Sequence, residues 1–433
     1  MDMNTAHALI RFGLGRRGSE DLPADPKAWL ARQLDGPDPY LSLPGPSTAD
    51  GLTALQEDRR DPNKEPGKRR ERVRELFQGE VATLANHVLT TPDGFRERLV
   101  WFWYNHFTVS LRRGECTGAL PGYFREAIRP HVTGRFQDML LAVMTHPAMI
   151  MYLDNQQSFG PDSLVGQRQK KGINENLARE CLELHTVTPA AGYTQADVTS
   201  FAKILSGWSI EINKIPAGFM FRRFAHEPGP KTMMGQVFTE GEEGGRMALS
   251  FLAEHPATYH NLATKLVRHF VADVPPPAAV AHIASVLHTT KGDLKAASLA
   301  LIALPEAWQP LTKLRQPQDY VISVLRALDL PADKRPPNLP GIISGLGQQP
   351  FAAPLPNGWP DTAADWDGPE AILRRIDWAY GMTGRAANMD PDALAGATLG
   401  PLLGETTKHE MHRAGSRRDA LALLVASPEF NRR

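Results

Sequence analysis

The sequence predicts a mainly α protein, a large helical globular fold with at most a small β-hairpin excursion. Three observations carry this. Apolar residues recur at helical spacing along most of the chain. The ends of those stretches hold residues that start or stop helices. Sustained alternation is confined to 218–224 and the segment around Gln236-Val237-Phe238, which together could make one hairpin.

In chain order, the first helical stretch is 26–34, opened by Pro26. Residues 36–65 are rich in Pro, Gly, Ser and Asp and read as a solvated loop. A mixed charge run, 68–74, leads out of it into a charged helix. Helices follow at 95–107 and 136–144, and the apolar run 139–153 is cut by His146-Pro147. Next come 176–185 and 196–205, the latter preceded by Thr194-Gln195-Ala196-Asp197, the pattern of a capping box. Helices at 260–271, 278–287, 294–304 and 319–327 continue the series, with Asp293 placed as an N-cap. Residues 331–367 are dense in proline and include Trp359 and Trp366. Proline lowers the entropy cost of holding one conformation, so this segment should be an ordered loop packed on the helices. The last helices are 369–380 and 418–426, closed by Ser427-Pro428.

Composition narrows the function. Lys and Arg together number 48, as do Asp and Glu, for a formal net charge of zero. Nucleic-acid binding needs a basic surplus to neutralise phosphates, so no nucleic-acid partner is expected. The two cysteines, Cys116 and Cys181, cannot build a disulfide framework and suit a reducing compartment. Apolar runs fall short of the roughly 18 uninterrupted residues of a membrane span. Histidine, arginine and glycine break up the N-terminal residues, so the chain reads as cytoplasmic without a signal peptide, or as exported if a leader has been removed.

The densest polar segment is 174–185, Asn-Glu-Asn-Leu-Ala-Arg-Glu-Cys-Leu-Glu-Leu-His. At 100° per residue, Ile173, Leu177, Ala178, Cys181, Leu182 and Leu184 fill one half of the helix. Glu175, Asn176, Arg179, Glu180 and Glu183 fill the other. Asn176, Glu180 and Glu183 stand at i, i+4, i+7 on one stripe, with Glu180 at the edge of the apolar arc. A carboxylate there must be paired, bonded, metal-bound or protonated. Local explanations also exist. Asn174 could cap the helix, Arg179 could pair with Glu183, and His185 could cap the C-terminus. Glu183 and His185 point to opposite sides, a poor geometry for one metal.

Elsewhere, Asn105-His106 ends an aromatic run, Trp101-Phe102-Trp103-Tyr104, and a polar pair buried there needs hydrogen-bond partners. Tyr152-Leu153-Asp154-Asn155 leads into a turn, and His226-Glu227 with Lys231 could bind an anion or supply metal ligands. There is no His-Glu-x-x-His pair, Cys-x-x-Cys, Walker loop or Gly-x-Ser-x-Gly elbow. No nucleotide or redox cofactor motif is present, and a divalent metal remains the one cofactor the side chains could hold.

Several of these blocks, in order, resemble the bacterial family known as "domain of unknown function 1800". They include Ala6-to-Gly15, Arg96-to-Phe107, Ile128-Arg129-Pro130-His131, His146-Pro147-Ala148-Met149, 174–185, His255-Pro256-Ala257-Thr258, Gly358-Trp359-Pro360-Asp361 and Ser427-Pro428-Glu429-Phe430. The resemblance implies a single domain over 1–433. The chain departs from the family pattern at Glu227, where Asp is usual, and at Cys181, where Leu is usual. Members often carry export signals and are often encoded beside an alkaline-phosphatase-like secreted family, which implies a partner or accessory role. The family brings landmarks but no mechanism.

Two functional readings follow. In the first, the chain is an enzyme acting on a polar small-molecule or polymer substrate by hydrolysis or group transfer, with or without metal assistance, at a site between helices. Glu180, His106 and Glu183 would be catalytic. Asn105, Asn176, Arg179, Tyr152, Asp154 and Trp359 would bind substrate, and any metal would sit on Glu180 and His226. Asn176 and Glu180 would then share one polar cavity with His106. In the second reading the chain is a non-catalytic binding or assembly protein whose Pro/Trp-rich loop contacts a protein partner.

Overall fold

The computed structural model describes residues 1–18, 20–60, 71–331, 335 and 338–433. Among these, 21 α-helices carry the fold, with two small two-stranded antiparallel sheets. No described helix is long and apolar enough to cross a membrane.

The helix Gly94–His106 lies at the centre, and all of it is buried except Trp101 and Asn105. A helix covered on every side must also bury its charges, and this one carries Arg96, Glu97 and Arg98 in succession. Each has its own partners. Arg96 donates to the backbone oxygens of Gln33, Asp35 and Gly36. Glu97 accepts two bonds from Arg129, at 2.9 and 2.6 Å, and one from His87 at 2.9 Å. Burial alone would raise its carboxyl, yet Arg129 and His87 outweigh that and hold it down to about 2. Arg98 donates to Gly13 O and to Asp319 at 2.8 Å.

The expected helices form, with ends shifted by a few residues. Pro256–Phe270 packs on Pro277–Thr289, and Pro369–Thr383 packs on Arg417–Ala426. The Thr194/Asp197 capping box and the Asp293 N-cap are both present. The break at His146-Pro147 has a specific cause. His146 Nδ1 accepts from Ala148 N at 3.1 Å, so the imidazole caps the helix Pro147–Tyr152. His255 repeats the device on Ala257 N, ahead of Pro256–Phe270. Proline at the first helical position lacks the N–H that a cap would otherwise serve.

Three expectations need correction. Residues 36–65 are not one loop, because Thr48–Arg60 is a helix. Its Gly51 and Asp50 read as loop composition, but Leu52 and Leu55 face the core. Gly51 is required by packing, since a Cβ there would stand 1.8 Å from Gly118 O. Residues 61–65 of that stretch and 68–70 of the charge run lie outside the described residues, and Glu71 opens the helix Glu71–Thr90. Within 331–367, Leu339–Gly345 is helical, and 332–334 and 336–337 lie outside the described residues.

The third correction concerns the hairpin. Segments 218–221 and 236–238 do not pair with each other. Gly218–Phe221 pairs with Trp208–Glu211, and Gln236–Phe238 pairs with Lys231–Met233. The second hairpin turns through Met234 and Gly235, both at positive φ (47° and 77°), the signature of a tight two-residue turn.

Candidate functional site

The helix read as 176–185 changes character halfway. Asn176–Glu180 is α-helical, whereas Cys181–His185 forms a π turn. The wider turn moves side chains off the 100° wheel. Leu177, Ala178, Cys181 and Leu182 are buried as expected, but Leu184 is only half-buried and His185 is fully buried. His185 therefore does not cap the helix end. Its ring lies 5.0 Å from that of Phe107 and 5.6 Å from that of His106. Arg179 pairs with Glu175 at 2.7 Å and not with Glu183. Glu175 also accepts from Gln195 and Thr199, tying this helix to the next. Asn174 Oδ1 takes the N–H of Asn176 at 2.9 Å, as a cap would.

Glu180 is half-buried and makes no hydrogen bond or ion pair among the described residues. Burial raises its pKa, Glu183 raises it further, and Arg179 opposes them. Tyr152 is close enough to feel its charge. Burial, then Cys116 and Glu180, push that phenol up to about 12. Asp154, at φ 57°, forms an ion pair with Arg113. Asn176 and Glu183 are exposed.

His106 belongs to a different place. It lines a cavity of about 260 Å³ between Gly94–His106, Pro256–Phe270, the start of Pro317–Leu328 and the loop 348–365. Glu180, Glu183, Asn176, Arg179, Tyr152, Asp154 and His226 do not line this cavity. The structure thus divides the predicted site in two, a cavity around His106 and an outer polar face around Glu180. The physical reason is that His106 bonds to the backbone end of the π turn and to Lys265, not to the side chains of the polar stripe.

His106 Nε2 faces His185 O at 3.2 Å. A carbonyl only accepts, so Nε2 carries the proton and Nδ1 is an acceptor. Lys265 Nζ donates to that Nδ1 at 3.2 Å and to Leu184 O at 2.8 Å. Burial, reinforced by Arg268, lowers the Lys265 ammonium to about 8. Burial, with Lys265 and His185, keeps His106 well below the usual histidine range.

Asn105 closes the cavity from the other end. Its Nδ2 donates to Trp359 O at 2.9 Å, and its Oδ1 accepts from Trp359 N at 2.8 Å. This paired bond pins the Gly358-Trp359 backbone to the central helix. Gly358 has φ +79°, and a Cβ on it would lie 2.5 Å from Asn105 O. Trp359 packs on the buried Trp366 with ring centroids 5.9 Å apart. Trp101, Tyr104 and Phe351 form an aromatic wall.

Pinning Trp359 sets Asp361 against His269. Asp361 Oδ2 lies 2.7 Å from His269 Nδ1. Asp361 Oδ1 accepts from Gln316 at 3.0 Å and from Arg433 at 3.1 Å, and Lys313 donates to Asp361 O at 2.8 Å. Burial raises the Asp361 carboxyl, but His269, Arg433 and Lys313 prevail and hold it far below its usual range. With the aspartate already neutralised by Arg433 and Lys313, His269 need not be charged. Its burial outweighs Asp361 and lowers it to about 4. Nδ1 therefore donates to the carboxylate, leaving Nε2 as an unprotonated base. That Nε2 is buried and has no hydrogen-bond partner.

Lys265, Arg268 and His269, together with Asp361, were not singled out as site residues in the sequence. A signal existed. Lys265, Arg268 and His269 stand at i, i+3 and i+4 on a helix whose apolar residues Leu262, Leu266 and Phe270 are buried.

His226 is fully engaged elsewhere. Its Nδ1 bonds Ser206 O at 2.8 Å, and its Nε2 accepts from Gly241 N at 3.0 Å and from Lys231. Glu227 pairs with Lys203 at 3.0 Å and accepts from Asp162 N at 2.9 Å. This cluster ties the loop to the strands. Among the described residues, no group of three or more His, Cys, Asp and Glu is placed to hold a metal ion.

The chain matches the family described as protein of unknown function (DUF1800) over residues 7–432, nearly its whole length, and belongs to that family. No curated protein and no solved structure matches it.

Proposed function

We propose that this DUF1800 member is an enzyme acting on a polar substrate by hydrolysis or group transfer, with the cavity at His106 and His269 as its active site. The observation that carries the reading is the Asp361–His269 dyad, whose unpartnered Nε2 belongs to a cavity-lining ring. A buried basic nitrogen without a hydrogen bond is costly, and its natural use is to take a proton from a substrate or water. Asp361 fixes the tautomer and stabilises the imidazolium as it forms. The Lys265–His106 pair supplies the second proton-handling group, for Lys265 at about 8 keeps a transferable proton near neutral pH. Aromatic walls shield the site from bulk water, a setting in which charge interactions strengthen. The inward packing of Trp359 and Trp366 favours this reading over a contact surface on that loop.

The test is a turnover screen over model esters, amides, phosphate esters and glycosides, run on the wild-type chain beside His269→Gln and Asp361→Asn. For any substrate turned over, both variants should lose about 100-fold or more in rate, the usual share of a general base, and keep their fold by circular dichroism. A His269→Gln protein that retains full turnover would sink the assignment.

A further inference from the structure

Resting on the reading of this cavity as a substrate site, we infer that the group it binds is anionic, a carboxylate or phosphate held by Lys265 and Arg268 beside the His269 ring. Charge within the walls does not balance. The acidic residues that line the cavity are already engaged. Asp319 accepts from Arg98 at 2.8 Å and pairs with Arg433 at 3.1 Å. Asp361 is taken by His269, Arg433 and Gln316. Asp365 is exposed at the rim and accepts from Thr362 Oγ1.

The cations are not balanced in the same way. Among the described residues neither Lys265 nor Arg268 has an ion-pair partner, yet both line the cavity. Lys313 shows the contrast, since that buried lysine is paired with Asp273. Lys265 donates only to neutral acceptors, Leu184 O and His106 Nδ1. Lys265 and Arg268 are both half-buried, and a cation partly withdrawn from water without a counter-charge is stabilised when an anion joins it.

Position adds direction. Lys265, Arg268 and His269 share one face of Pro256–Phe270, with Cβ atoms roughly 5–6 Å apart at such spacing. An oxyanion held by Lys265 and Arg268 would place the rest of a small substrate beside the His269 ring. The cavity volume of about 260 Å³ falls just below the usual range of ligand pockets, roughly 300–1,000 Å³, and so suits only a small molecule.

Calorimetric titration of the full chain with inorganic phosphate, pyruvate and neutral glycerol tests this. One anion or both should bind and glycerol should not; phosphate alone would point to a phosphorylated substrate and pyruvate alone to a carboxylate. Arg268→Gln and Lys265→Met should each weaken anion binding by about tenfold or more. His269→Gln should leave it within about threefold, because that ring is assigned to proton transfer and not to anion binding. Failure of both anions to bind, or equal binding by wild type, Arg268→Gln and Lys265→Met, would overturn the inference. That result would leave a neutral substrate, and the turnover screen with His269→Gln would still judge the enzyme reading by itself.

Discussion

Two glutamates set the limits of what a single residue can contribute here. Glu97 is buried and bonded to Arg129 and His87. Removing it leaves the buried Arg129 with Asp38 as its remaining carboxylate partner and His87 without its acceptor, so Glu97→Ala should cost about 3 kcal/mol, read as a shift in denaturant midpoint at unchanged slope. A loss below about 1 kcal/mol would show that water reaches Arg129. Glu180 is the opposite case, half-buried, without a hydrogen bond, and raised by burial and by Glu183. Ionising it works against folding near neutral pH, so Glu180→Gln should leave the melting temperature unchanged or raise it slightly. A clear drop would mean that the carboxylate has a structural partner. The 174–185 sequence placed Glu180 at the edge of the apolar arc, and the residue is half-buried. It could not show that His106 bonds to the backbone of the same segment, because which side of a helix meets which neighbour is decided by packing.

At the scale of elements, caps and local spacing were legible and long-range pairing was not. The capping box at Thr194 and the cap at Asp293 follow from a few adjacent residues, and both appear. The π turn at Cys181–His185 has no such local signature, and it alone moved His185 from helix end to core. The helix Thr48–Arg60 was hidden by Gly51, whose purpose is a close backbone approach to Gly118 that only the fold reveals. The loop around Trp359 depends on the same kind of contact. Gly358 combines positive φ with a clash awaiting any Cβ, so Gly358→Ala should destabilise the chain by more than about 1 kcal/mol. It should also increase protease cutting between residues 354 and 362. An alanine variant as resistant as wild type would mean that the Asn105 clamp does not set the loop.

The whole molecule stores an unusual amount of charge and histidine in its interior, and that fixes how it should respond to pH. Burial first lowers His7 and His269 to about 4 and His185 to about 3, from 6.5. Between about pH 6.5 and 4 the unfolded chain therefore binds more protons than the native one, and stability falls as pH falls. Glu97 and Asp319 sit at about 2, and Asp361 is also depressed, so a second loss follows below about pH 4. The melting temperature should decline in two stages on acidification. A flat profile from pH 7 to 4 would show that these histidines are already solvated. The mainly helical class and the family could be read from periodicity and ordered motifs. The cavity could not, because Lys265 and His269 meet Asp361 across some ninety residues of chain.

The central claim is that Asp361 holds His269, a cavity-lining residue, as a neutral base whose buried Nε2 has no hydrogen bond. Nitrogen-15 NMR of the histidine rings, assigned with His269→Gln, measures this directly. At pH 7 the ring should be the neutral Nδ1–H tautomer, protonating only near pH 4. An imidazolium at pH 7, or a proton resident on Nε2, would contradict the account.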